Sequence, residues 1–258
     1  MTDEPRSVVS VKELACDVAT GRFRVAIALQ GGGSHGAFTW GVLDRLLMEP
    51  DLNIVGISGT SAGAMNAAVL ADGLRRGGRS AAKAALTSYW EDVGRLPGYA
   101  SFQVLTFPGA PRSWHLDNNP VFLWMDMLAR IWSPYQINPF NHHPLRALLE
   151  RIDFEALRRD PNATRVFIGA TNVRSGLRRV FDNGELSVDV LLASACLPLL
   201  YQAVEIGGEH YWDGGYTGNP PLAPLYLRTT ATDVIVIGIN PLMRADVRCS
   251  GSVEQDEQ

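Results

Sequence analysis

Residues 53–69, Asn-Ile-Val-Gly-Ile-Ser-Gly-Thr-Ser-Ala-Gly-Ala-Met-Asn-Ala-Ala-Val, constrain the chain more than any other stretch. Ile54 to Ile57 is a β-branched run suited to a buried parallel strand. The alanine-rich run after it favours a helix. Between them, Gly59-Thr60-Ser61-Ala62-Gly63 fits G-x-S-x-G, the strand–turn–helix elbow that lifts a serine hydroxyl to a helix N-terminus. So sharp a turn strains the serine backbone, and side chains two positions either side would collide with strand and helix. That gives Gly59 and Gly63 a physical reason to be glycine. The helix N-terminus also favours negative charge developing beside Ser61. The plainer alternative is a glycine-rich turn with an incidental serine, because the bare motif is common.

The 258 residues suffice for one large domain or two small ones, and 46% hydrophobic against 19% charged residues is the balance of a globular protein. A net charge of −4 argues against a nucleic-acid partner. Cys16, Cys196 and Cys249 are odd in number and far apart, so neither a metal site nor a disulfide framework is expected. Residues 1–20 lack an apolar core and no run of 18 apolar residues occurs. The expectation is a cytoplasmic protein that meets any membrane only peripherally, at its surface. Its oligomeric state is open.

The coarse organisation is a polar arm at 1–21, a main domain at 22–241, and a polar, disordered tail at 242–258. Arg24–Gln30 reads as a first buried strand opening into Gly31-Gly32-Gly33-Ser34-His35-Gly36 and a helix from Ala37 to Met48. After the elbow a helix runs to Arg76, Gly77-Gly78-Arg79-Ser80 turns the chain, and Ala81–Val93 is a second helix. Residues 94–140 form an irregular apolar excursion with six prolines, four of nine Phe and three of six Trp. Its one expected helix, Pro120–Trp132, is either buried or part of a lid or lipid-facing patch. Then come a helix over Asn141–Arg159, strands at Thr164–Asn172 and Gly176–Phe181 forming a hairpin, and a short helix from Ser187 to Cys196. Short strands follow at Tyr201–Ile206 and His210–Trp212, then a helix starting at Asn219-Pro220-Pro221 and a last strand over Asp233–Asn240. This order predicts an α/β fold with a mostly parallel sheet and helices on both faces.

An acylating serine needs a base, an oxyanion site and a pocket. The glycine run sits where a strand opens into a helix, so its amides can converge on an anion. Gly31-x-Gly33-x-x-Gly36 also fits a dinucleotide fingerprint, but that requires a carboxylate at the end of the next strand, where Ser58-Gly59-Thr60-Ser61 stands instead. For the base there are His35, His115, His142, His143 and His210, and none lies C-terminal to Asp213. His142-His143 read as surface residues at a helix start and His115 as a loop residue, with His210 in reserve. Asp213 is the stronger candidate. It ends a strand, and Gly214-Gly215 lets the backbone turn to present the carboxylate, which can accept the serine proton directly.

Gly-Gly-Gly-Ser-His-Gly at 31–36, Gly-Thr-Ser-Ala-Gly at 59–63 and Asp-Gly-Gly at 213–215, in that order, resemble the patatin-like phospholipase family. Ala193-Ser194-Ala195-Cys196-Leu197-Pro198 is similar to the family's Ala-Ser-x-x-x-Pro segment, and Asn219-Pro220 to its following helix start. The resemblance implies a patatin-type three-layer α/β/α sandwich and a Ser61–Asp213 dyad without histidine. It implies an oxyanion hole from Gly31, Gly32 and Gly33 together with Ala62, lipid acyl-ester substrates, and no cofactor or metal. His35, Gly36, Gly59, Gly63, Gly214 and Gly215 would support that machinery. The family usually carries Arg or Lys at the position of His35, where a histidine can take over either when protonated, with activity then falling at high pH, or by hydrogen bonding. Family members also commonly continue past the final strand with further helices, where this chain turns acidic. A lipid-binding or regulatory module with little turnover is the alternative.

Overall fold

The structure is a computed structural model and describes residues 23–96 and 133–240. The arm at 1–21, the helix expected over 120–132 with most of the apolar excursion, His115 and the tail at 242–258 lie outside these residues.

Seven strands build one sheet: β1 (Phe23–Leu29), β2 (Leu52–Gly59), β3 (Arg165–Asn172), β4 (Arg178–Phe181), β5 (Val204–Ile206), β6 (Glu209–Asp213) and β7 (Asp233–Ile237). Their order is β5-β6-β3-β2-β1-β7, with β4 also on β3. Strands β3, β2, β1 and β7 run parallel, and the others are antiparallel additions. Strand β1 shows why helices flank both faces. Val25, Ile27 and Leu29 enter the larger core, while Ala26 and Ala28 join Phe167 and Leu225 in a smaller one on the opposite face. The larger core is filled from helices α1 (Gly36–Leu46), α2 (Ala62–Arg95), α4 (Arg146–Leu149), α5 (Phe154–Arg159) and α6 (Val188–Ser194). Helix α3 (Pro134–Ile137) lies apart, and α7 (Ala223–Arg228) supplies Leu225 to the smaller face. The result is a three-layer α/β/α sandwich.

Register brings the two strands that matter together. Ile168 lies between Gly59 of β2 and Phe181 of β4, and Ala170 lies between Arg179 of β4 and Asp213 of β6. Strand β4 is continuous along one edge of β3, so β2 and β6 share the other edge. They run in opposite directions and meet end to end there, two residues apart along β3. The residues that follow Gly59 and the residue that ends β6 must therefore converge.

Helix α2 is two legs joined at a kink, where Gly77 (φ −168°, ψ 28°) and Gly78 (φ 67°, ψ −151°) leave helical geometry. Gly78 adopts a positive φ that favours glycine. The legs fold back on each other closely enough that a Cβ on Gly73 would lie 2.4 Å from Ala82 Cα. At the start of the second leg, the Arg79 guanidinium donates to the carbonyls of Leu47, Glu49, Pro50 and Leu52. It thereby satisfies carbonyls at and just past the C-terminus of α1.

Three expectations need correction. The helix expected over 141–159 is broken into α4 and α5. Asp153 caps α5 by accepting the Ala156 amide at 2.9 Å, and the Asn138 side chain closes a loop on the His142 backbone instead of letting a helix start there. The helix expected from Asn219 begins at Ala223, because Asn219 is used elsewhere (below). The last strand stops at Ile237 rather than Asn240, since Gln30 Oε1 accepts the Ile239 and Asn240 amides at 2.7 and 2.9 Å.

The close approach at Gly73 makes a simple prediction. Gly73→Ala should destabilise the fold by about 1–3 kcal/mol through overpacking. Thermal unfolding should record a Tm lower by roughly 2–4 °C per kcal/mol.

Candidate active site

Ser61 has φ 54° and ψ −124°, and it shares a positive φ with only one other non-glycine among the described residues, Asn141. A strained non-glycine backbone persists only where its surroundings hold it. The holders are visible. A Cβ on Gly59 would lie 2.3 Å from Gly63 O, and one on Gly63 would lie 2.2 Å from Leu29 O. The Ser61 amide donates to Ser194 Oγ at 2.9 Å, and the Ser194 hydroxyl donates to Gly169 O at 2.6 Å. Ser194 is fully buried, so this relay ties the elbow to β3 through the end of α6. Helix α2 starts at Ala62, aiming its positive end at the serine.

Asp213 ends β6 and is 5% exposed. Its amide donates to Cys196 O at 2.8 Å, and its carbonyl accepts the Thr171 hydroxyl at 2.8 Å. The carboxylate accepts the Gly215 amide at 2.7 Å, and the nearby Ser61 hydroxyl favours its charged form. Burial pushes the Asp213 carboxyl above its ordinary value, and the Gly215 amide and Ser61 hydroxyl only partly offset that rise. Glycine at 214 is required by space, because a Cβ there would lie 2.2 Å from Gly169 O.

The glycine loop lies against the serine. A Cβ on Gly31 would lie 2.2 Å from Thr60 O and 2.7 Å from Ser61 Cβ. Gly31 and Gly36 are buried, and Gly32, Gly33, Ser34 and His35 between them are exposed. Each buried end has an asparagine. Asn219 Oδ1 accepts the Gly31 amide at 2.7 Å, and Asn219 Nδ2 donates to Gly31 O at 3.1 Å. Asn66, fully buried, donates to Gly36 O at 3.0 Å and accepts the Trp90 indole N–H at 2.8 Å. The Gly31 amide, counted at the sequence level among the oxyanion donors, is thus already engaged by Asn219. Gly33 (φ 59°) turns the loop, and His35 Nδ1 lies 3.1 Å from Gly32 O.

The other histidines stand away from this centre. His210 lies three residues before Asp213 on β6, so its side chain faces the opposite side of the sheet, and it is exposed opposite Glu205. His142 is exposed, as expected of a surface residue. His143 is not. It stacks on Tyr201 with ring centroids 4.1 Å apart, and burial, aided by Arg146 and His142, pushes its pKa down to about 4. Among the described residues no group of three or more His, Cys, Asp or Glu could hold a metal ion. No helix among them is long and apolar enough to cross a membrane.

Sequence reasoning did not assign Ser194, Asn66 or Asn219. Ser194 and Asn219 stood inside recognised motifs, but their long-range partners, 133 and 188 residues away, have no local signal.

An elbow serine and a strand-end aspartate, meeting over a mostly parallel sheet packed by helices on both faces, define a patatin-type α/β/α protein. A family model described as patatin-like phospholipase matches residues 27–226. The chain belongs to that family. No curated protein matches the chain. Among solved structures, VipD from Legionella pneumophila is similar at 17% identity, with a TM-score of 0.48, over 87% of this chain and 52% of VipD. The chain thus spans about half the length of that protein.

The raised pKa of Asp213 bears on stability. The folded state holds this proton more tightly than the unfolded state, so charging the group costs stability as pH rises through its folded pKa. Below the unfolded value the cost vanishes. Asp213→Asn should therefore raise Tm at neutral pH, and its advantage over the parent should shrink as pH falls into the acid range. Paired melting curves from pH 4 to pH 8 would read this out.

Proposed function

We propose that the protein is a serine acyl hydrolase that cleaves fatty-acyl esters of lipids, in the manner of a phospholipase A or lysophospholipase. The observation that carries this reading is the convergence of the Ser61 elbow and the buried Asp213 carboxylate at the neighbouring ends of β2 and β6, where the Ser61 hydroxyl favours the charged form of the carboxylate. Raising the pKa makes the Asp213 carboxylate a stronger base.

The chemistry follows from the placement of the groups. Ser61 Oγ attacks the ester carbonyl carbon as Asp213 takes its proton. The carbonyl oxygen becomes an oxyanion. The Gly32, Gly33 and Ala62 amides stabilise it together with the N-terminus of α2. Gly31, whose amide donates to Asn219 Oδ1, holds the loop in place and donates nothing to the oxyanion. As the tetrahedral intermediate collapses, the proton on Asp213 passes to the departing alcohol oxygen, leaving an acyl-enzyme at Ser61. Water then attacks the acyl carbon while Asp213 accepts its proton. Collapse returns that proton to Ser61 and releases the fatty acid. The two-residue unit needs no imidazole, and His35 and His210 take no step in it. The apolar composition of the excursion at 94–140 suits an acyl chain, and any membrane contact is peripheral.

Ser61→Ala and Asp213→Asn should each lower turnover of a medium-chain p-nitrophenyl ester by roughly 10³-fold or more, with folding intact. Near-parental activity in either would refute the dyad. In the parent, kcat/KM should fall toward acid as Asp213 protonates, with an apparent pKa above the ordinary carboxylate value of 3.8. Vesicle binding without ester turnover in the parent would favour the lipid-binding module instead.

A further inference from the structure

We infer that Asn219 is a positioning residue that latches the oxyanion loop to the segment carrying the base, an inference that rests on the reading of Ser61 and Asp213 given above. The side-chain amide of Asn219 has one acceptor and one donor face, and it uses both on a single peptide position, Gly31 N–H and Gly31 O. Such two-point pairing fixes the orientation of a peptide as well as its position. Gly31 is buried against Thr60 and Ser61, and Asn219 adds the side-chain hydrogen bonds that orient its peptide. It has no side chain, and the four residues that follow it are exposed.

The latch is well placed to set geometry. Asn219 lies six residues after Asp213 on one short segment. That segment is held along its length. Thr217 Oγ1 lies 3.0 Å from Thr171 Oγ1, Arg178 donates to Thr217 O at 2.5 Å, and Thr60 Oγ1 donates to Gly218 O at 3.3 Å. Thr60 is the residue before Ser61. The chain from 213 to 219 therefore touches all three parts of the centre: it supplies the base, contacts the elbow and grips the glycine loop. Because Gly31 packs on Ser61 Cβ, a shift of Gly31 moves the Gly32 and Gly33 amides relative to the hydroxyl. Oxyanion donors act only over a narrow range of distance.

The test uses Asn219→Ala and Asn219→Asp in the full chain. Asn219→Ala should lower kcat roughly 10²-fold at little changed KM, as expected for a loop displaced by about 1 Å. Labelling of Ser61 by a fluorophosphonate, whose phosphoryl oxygen needs the same donors, should slow in parallel. Asn219→Asp keeps an acceptor for Gly31 N–H but turns a carboxylate oxygen toward Gly31 O. Once protonated, the acid can again accept and donate. Its activity relative to the parent should therefore rise as pH falls, a recovery that general destabilisation would not give. Amide hydrogen exchange of the peptide over residues 30–36, measured on the same proteins, needs no activity. It should accelerate at least tenfold in Asn219→Ala. Unchanged exchange and unchanged labelling in a folded Asn219→Ala would overturn the latch while leaving the Ser61–Asp213 reading intact. Faster loop exchange in Asn219→Ala than in the parent, together with a parent that turns over no ester, would uphold the latch and overturn the hydrolase reading.

Discussion

The centre depends on one constraint, the sharing of a single edge of β3 by two strands that arrive from opposite directions. Gly59 pairs with Ile168 and Asp213 with Ala170, so the ends of β2 and β6 face each other across two residues of β3. A continuous strand on that edge would leave no gap. An antiparallel partner that stops at position 213 opens a notch into which the chain after β2 can turn. The elbow at Ser61 fills that notch, and the carboxylate that ends β6 becomes its neighbour. Small residues follow from the crowding. A Cβ on Gly59, Gly63 or Gly214 would collide with backbone around this point, and one on Gly169 would crowd Thr60 Oγ1 at 3.2 Å.

Burial then sets the chemistry. Asp213 is nearly sealed from solvent, and its charge is held by one amide and one hydroxyl rather than by a cation. A carboxylate so placed keeps a proton more readily than one in water, which is what a base that must hand the proton on requires. The same burial costs stability whenever the group is charged. Strain at Ser61 is a second cost of the same kind, and the Ser194 relay and the packed glycines hold the elbow in place against it.

Much of this was legible in the sequence because the signals were local. The β-branched run before Ser61, the small residues around it and the alanine-rich helix after it read correctly as strand, turn and helix. The hairpin of β3 and β4, the break at Gly77-Gly78 and a short helix within Ser187–Cys196, found at Val188–Ser194, also stood in composition. What failed were boundaries decided by side chains reaching far along the chain. Asn219 looked like a helix start because Asn-Pro is one, yet its amide is spent on Gly31. Gln30 looked like the end of β1, yet its side chain terminates β7. Asn138 and Asp153 broke a run of helical periodicity by bonding to backbone. In each case a polar side chain competed with regular structure, and nothing near it in sequence names its partner.

The most direct test of the account is to trap its covalent intermediate. The protein would be mixed with a medium-chain p-nitrophenyl ester, quenched in acid within the first turnovers, digested and mapped by mass spectrometry. The account predicts one fatty-acyl mass increment, on the peptide that contains Ser61, present in the parent and lost in Asp213→Asn. Ester turnover with the acyl group on another residue, or with no acylated peptide when release is the slow step, would contradict it.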